Sequence, residues 1–184
     1  MMLAQIFCAV LAAATIQFCP QPRMRVRGFW GDKLDLLERN WMPECARRLD
    51  RGFIGFARNL FEAMLLAEER NSGRGDFAAR IEAHVRKEVA AQHPDGYVGR
   101  CTPHFTDFTR HELYAQGYYI EAAVRHMDFT QGKDRRYFDA AIRLADFLDA
   151  TFGPAPKRTW TDGHPGVEKA LLTLADAVDR HDGL

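Results

Sequence analysis

From Asp32 onward the apolar positions recur every three to four residues, the spacing of one face of an α-helix. In KLDLLERNWMPECARRL the stripe is Leu34, Leu37, Trp41 and Cys45, and Pro43 is placed to kink or divide the run. GFIGFARNLFEAMLLAEE puts Phe53, Phe56, Leu60, Met64 and Ala67 on one face. NSGRG, Asn71 to Gly75, breaks the pattern, and Asp76 is the expected N-cap of the helix FAARIEAHVRKEVAAQ. HPDGYVGRC is a turn around Asp95-Gly96 leading into an extended segment. TRHELYAQGYYIEAAVR opens another helix. In DRRYFDAAIRLADFLDATFG, Tyr137, Ala140, Ala141, Leu144, Leu148 and Phe152 keep the helical period. After the loop GPAPKRTWTDG a last helix begins near Pro165 and turns Val167, Leu171, Leu174 and Val178 inward. Strand-like runs are few and short, so the pattern predicts an all-α chain with antiparallel neighbouring helices.

The connections alternate between short (TQGKD) and long (HPDGYVGRCTPHFTDF and FGPAPKRTWTDGH). Long loops gathered at one end of a helical array are where function usually sits. Each of the two leads into a helix headed by a histidine.

Length and composition narrow the classes. With 184 residues the chain can bury one sizeable core. Its 25 basic and 25 acidic residues give a formal net charge of zero, which argues against a nucleic-acid partner. Cys8, Cys19, Cys45 and Cys101 match no zinc or disulfide framework and are expected as free thiols. Residues 1–24 form a separate apolar N-terminal segment, followed by a domain over 25–184. The apolar run is shorter than the ~20 residues that span a bilayer, so no membrane partner is expected. A secretory signal peptide, an unordered tail and a start at Met24 are all open readings. The chain is secreted or periplasmic under the first and cytoplasmic otherwise.

The candidate chemistry lies at the two histidine-headed helices. Thr109-x-x-Glu112 has the form of a capping box, the threonine hydroxyl taking an early backbone N–H while Glu112 reaches back. His111 then falls in the first turn, where an imidazole can hydrogen-bond hydroxyl groups. A zinc-protease helix needs His-Glu-x-x-His, and the fifth position here is Ala115. In GHPGVEKALLTLAD, Pro165 suits the first helical turn, placing His164 at or just before the N-cap. Glu168 lies one turn inside, where it complements the helix dipole. Two histidines at two helix mouths make a candidate pair for a polar ligand.

Four segments, in order and at matching spacing, carry a family resemblance: AAQHPDGYV, HELYAQGYYIEAAV, AIRLADFLDATFGP and GHPGVEKALLTL. They resemble the N-terminal part of the β-L-arabinofuranosidase family of glycoside hydrolases, family 127. Its segments read approximately A-x-Q-x-x-DGYL, HELY-C-x-GH-x-x-EAA, RLADH-x-x-x-x-FGP and GH-x-E-x-E-x-AL. VRGFWGDKL also resembles the usual start of that catalytic domain. The resemblance implies an (α/α)6 barrel of inner and outer helices, of which this chain holds roughly half, with a sugar bound at one end.

By the same resemblance His111 and His164 are substrate-binding, with Glu112, Tyr114 and Tyr97 in support. The family's glutamate acid/base and its zinc-held cysteine nucleophile would lie beyond Leu184. No catalytic residue, metal ligand or cofactor is therefore expected in this chain, and no turnover is expected from the chain alone. Ala115, Tyr118 and Gly166 depart from the family pattern. The expected partner is a small, arabinofuranoside-like carbohydrate. Self-association or a missing C-terminal half is expected to cover the open flank of a half-barrel. The other open readings are a non-catalytic sugar- or protein-binding helical module and a metal-independent sugar epimerase-like enzyme.

Overall fold

The computed structural model describes residues 26–50, 57–71, 76–99, 111–159 and 164–183. The N-terminal segment with Cys8 and Cys19, the stripe positions Phe53 and Phe56, most of NSGRG, Cys101 and Thr109 lie outside them. Among the described residues the regular structure is helical: α1 (Phe29–Leu36), a π-helical stretch (Leu37–Trp41), α2 (Met42–Asp50), α3 (Ala57–Arg70), α4 (Ala78–Ala90), α5 (Glu112–Phe129), α6 (Arg136–Thr151) and α7 (Val167–Asp182).

Side-chain pairings give the directions. Arg58 reaches Ala115 and Arg125 pairs with Glu69, so α3 and α5 run parallel. Lys169 pairs with Glu121 and Arg180 with Asp128, so α5 and α7 also run parallel. By contrast Phe61 stacks on His84, while Arg58 meets Glu88, so α3 and α4 are antiparallel. Arg135 with Asp182 and Phe138 with His181 set α6 antiparallel to α7. Thus α3, α5 and α7 form one layer, with their N-termini at a common end, and α4 and α6 form a second layer behind them. Antiparallel neighbours joined by turns build this arrangement, which is a partial (α/α) barrel.

The core lies between the layers. Phe61, Ile120, Tyr119, Tyr137, Phe138 and Leu144 are fully enclosed, and the Tyr137 ring stands edge-on to both Tyr119 and Phe61 at 4.8 and 5.8 Å. The predicted stripes hold for Leu60, Met64 and Ala67 on α3 and for Tyr137, Ala140, Ala141, Leu144 and Leu148 on α6, all buried. On α7, Val167 and Leu174 are buried while Leu171 and Val178 pack at the margin.

The first helix departs from its predicted stripe. Leu37 and Trp41 are 39% and 61% exposed, and the buried positions are Met42 and Ala46. The π-helical stretch explains the shift. Pro43 has no N–H to offer and its ring crowds the carbonyl four residues back, so the helix widens just before it. One extra residue in that wide turn moves the inward face from Trp41 to Met42 and Ala46, with Cys45 half-buried beside them. The segment is tied to the end of α3 by Arg70, which grips Glu38 through Nε at 2.7 Å and Asp35 at 2.6 Å. That pairing holds the Asp35 carboxyl below its usual range.

Asp76 is likewise not the cap of α4. The N-cap is Phe77, whose backbone N–H donates to the buried Glu68 carboxylate at 2.7 Å. A side chain from the preceding helix takes the N-cap's own amide, the one that a glutamate at the third helical position takes in a capping box, and that position here is Arg80.

Candidate functional site

The histidine-headed mouth is assembled in three steps. The first is the turn after α4. Gly96 has φ +97°, and a Cβ there would stand 2.5 Å from the Arg143 carbonyl, so the turn presses its backbone onto α6. Asp95 accepts from the Tyr97 amide at 3.0 Å, and Gln92 bridges the Gly96 and Ala140 carbonyls at 2.9 and 2.8 Å. Tyr97 is thereby sunk to 1% exposure, with its hydroxyl donating to Glu112 at 3.1 Å.

The second step is the start of α5. The helix begins at Glu112 with His111 as N-cap, so Glu112 stands in the first helical position and not three residues inside. The capping-box register fails, and Thr109 lies outside the described residues. Glu112 is 4% exposed and accepts from the Tyr97 hydroxyl. His111 takes φ 49°, ψ 44°, the left-handed region that a branched or bulky residue rarely occupies. The imidazole of this cap lies against the ring of His164, ahead of α7.

The third step is the start of α7. Its N-cap is Gly166, so Pro165 lies just outside the helix and His164 one residue further out, one step earlier than expected. Glu168 folds back to accept the Gly166 amide at 3.0 Å. α5 and α7 touch backbone to backbone here: a Cβ on Gly117 would lie 2.9 Å from the Gly166 carbonyl carbon. This contact brings the His111 and His164 rings to 4.2 Å between centroids, edge to face at 63°. His164 is exposed and His111 half-buried.

The Tyr114 ring stands 5.2 Å from His164, and its hydroxyl lies 2.7 Å from that of Tyr118, one turn along α5. The hydrogen bond to Tyr118 raises the Tyr114 phenol above its usual range. The five site candidates therefore divide. His111, His164 and Tyr114 meet at the mouth, whereas Tyr97 and Glu112 form a buried pair beneath it. Tyr118 departs from the family pattern and stands outside the expected site residues. Two tyrosines four residues apart on one helix were the available signal for their contact.

Gly117 is the narrowest point of this assembly. We predict that Gly117→Ala lowers stability by about 1–3 kcal/mol from overpacking, partly offset by the ~1 kcal/mol that alanine gains over glycine in a helix. A thermal melt reads the first effect. Loss of the nuclear Overhauser contact between the His111 and His164 rings reads the displacement of α7. An unshifted melt with the contact intact would show that the crossing relaxes freely.

Among the described residues no group of three His, Cys, Asp or Glu side chains converges as a metal site would require, and the one cysteine, Cys45, is half-buried on α2. The zinc implied by the family resemblance thus finds no ligand set in these residues.

Paired helices in two layers, with facing histidines at one mouth, define a partial glycosidase-type (α/α) barrel. The chain belongs to glycoside hydrolase family 127: residues 61–181 match the family described as beta-L-arabinofuranosidase, GH127 catalytic domain. A relative is the non-reducing end beta-L-arabinofuranosidase of Bifidobacterium longum subsp. longum, 45% identical over 65 residues. That match covers 35% of this chain and only 10% of the relative's length. No solved structure matches.

Proposed function

We propose that this chain forms the sugar-gripping mouth of a β-L-arabinofuranosidase-type catalytic domain. His111 and His164 hydrogen-bond hydroxyl groups of an arabinofuranoside-like sugar, and Tyr114 forms the adjoining wall. One observation supports this above the others: the two imidazoles, from helices far apart in sequence, lie 4.2 Å apart at one mouth. An imidazole with one N–H and one bare nitrogen can donate to one hydroxyl and accept from another, so adjacent rings suit a vicinal diol. Retaining hydrolysis needs a nucleophile and an acid/base flanking the glycosidic bond. The proposal gives this chain recognition and leaves both of those groups to other residues of the complete enzyme.

The epimerase-like alternative fares worse on geometry. Histidines serving as acid and base on opposite faces of a sugar carbon need room for the sugar between them. Rings in edge-to-face contact leave none and act on one side.

The proposal extends to association. Phe29, Trp30, Leu36 and Trp41 are exposed along the first helices, and Leu66 and Leu172 on the α3–α5–α7 layer. A flank of this kind supports contact with a second copy or with a C-terminal half.

The test is titration of the full chain with methyl β-L-arabinofuranoside, followed through the imidazole C–H resonances. Saturable shifts confined to His111 and His164 are expected. Shifts spread evenly over all seven histidines, or none at concentrations where sugars bind, would reject the reading.

A further inference from the structure

Tyr118 lies outside the contacts proposed for the sugar, yet it touches the residue that forms the wall of the mouth. Its ring meets Tyr114 edge-on, 4.8 Å between centroids and 79° between planes, and the two hydroxyls are 2.7 Å apart. On its other side the Tyr114 ring lies over Gly166, where an added Cβ would fall 2.9 Å from Cδ2. The ring is thus held between a hydroxyl at one end and a bare stretch of backbone at the other, and it stands tilted beside His164 at 5.2 Å and 54°. Neither support is generic. Phenylalanine at 118 would keep the ring contact and lose the hydroxyl bond, and any side chain at 166 would displace the ring.

We infer that Tyr118 is a positioning residue, and that with the bare backbone of Gly166 it fixes the Tyr114 ring beside His164 as the aromatic wall of the mouth. The inference rests on the sugar-binding reading for the purpose of the wall, but not for its geometry. A fixed aromatic face suits the C–H face of a sugar ring, while the neighbouring imidazoles take its hydroxyls. A ring free to swing would leave the histidines in place and remove the wall. One turn beyond Tyr118 along α5, Glu121 is paired with Lys169 of α7 at 2.8 Å, which keeps the two helices in register below the tyrosines.

The experiment compares Tyr118→Phe, Tyr114→Phe, the double variant and Tyr114→Ala in the full chain, with two readouts. The first is the His164 imidazole C–H shift, which carries the ring current of Tyr114. Tyr114→Ala marks its complete loss. Tyr118→Phe should move the resonance part of the way to that mark while the melting temperature stays near that of the unsubstituted chain. The second is affinity for methyl β-L-arabinofuranoside. Tyr118→Phe should weaken it about 3- to 10-fold, the worth of one hydrogen bond, and the double variant should weaken it no further than either single. An unmoved His164 resonance in Tyr118→Phe overturns the inference, whatever happens to binding. A lowered melting temperature with both readouts unchanged assigns Tyr118 to packing alone and also overturns it. If the unsubstituted chain binds no arabinofuranoside, the sugar reading fails by itself, and the His164 resonance still decides whether Tyr118 positions Tyr114.

Discussion

Replacing His164 with alanine, or His111 with asparagine, should weaken binding of methyl β-L-arabinofuranoside about 5- to 150-fold, equivalent to roughly 1–3 kcal/mol of hydrogen bonding lost. The two substitutions are chosen differently because the backbones differ. His164 is exposed and precedes α7, so alanine there should change stability by less than about 0.5 kcal/mol. His111 stands at φ 49°, where alanine would add strain to whatever the lost ring costs. Asparagine tolerates that left-handed cap and removes only the imidazole. Glu112→Ala supplies the contrast. It withdraws the acceptor of the buried Tyr97 hydroxyl, 3.1 Å away, and should cost about 1–3 kcal/mol of stability with little direct effect on the ligand. Calorimetric titration and a denaturant melt on each variant separate the two outcomes. Unchanged affinity in both histidine variants would remove the sugar from this mouth.

The helical fold was legible because its signals are local and repeated. Leu60, Met64 and Ala67, or Tyr137, Ala141, Leu144 and Leu148, lie on one face by arithmetic, and burial follows. Asp95-Gly96 could be read as a turn because only glycine accepts φ +97° pressed against a carbonyl. The pairing of His111 with His164 was legible from their matching places ahead of two helices, without any measure of distance. What escaped depended on contacts between elements. Glu112 had the spacing of a capping partner, but the chain starts the helix at it and gives its carboxylate to Tyr97. Phe77 and not Asp76 is the N-cap of α4, and its own amide is held by Glu68 of α3, a contact between elements. The stripe through Trp41 slipped by one residue because a π-helical turn ahead of Pro43 adds a residue that a 3.6 period does not count. The backbone approach of Gly117 to Gly166, on which the histidine pairing rests, leaves no mark in a hydrophobic pattern.

Stability of the chain should fall as the pH is lowered from about 6.5 to 4, and His84 should account for most of the loss. His84 stacks on Phe61 at 4.3 Å in the core between α3 and α4, and its buried Nε2 has no hydrogen-bond partner among the described residues. Burial pushes its pKa from 6.5 down to about 4; nearby Glu88 opposes the shift, while Arg58, Lys87 and His126 add to it. His126 is lowered in the same direction by burial, with Asp134, 3.8 Å away, opposing. The unfolded chain therefore binds these protons at a higher pH than the folded chain does. Wherever the unfolded state holds more protons, stability rises with pH. The His84 contribution is thus complete above about pH 6.5, the unfolded value, and drains away as the pH falls toward 4. A shift of this size is worth about 2–3 kcal/mol at 1.36 kcal/mol per unit, after discounting the part of the ring that water reaches. The shifted carboxylates among the described residues do not produce this loss: Glu62, raised by burial, takes up its proton first in the folded state and so opposes it. Asp128 and Asp134, both held below their usual range with arginine hydrogen bonds among the causes, lose their contribution only as the pH drops below about 4. Urea unfolding at half-unit steps between pH 4 and 7.5 reads the slope directly. His84→Phe keeps an aromatic ring on Phe61 without a titrating nitrogen and should flatten most of that slope. An unflattened slope in the variant, or none in the unsubstituted chain, would mean that His84 takes up its proton in the folded state without cost.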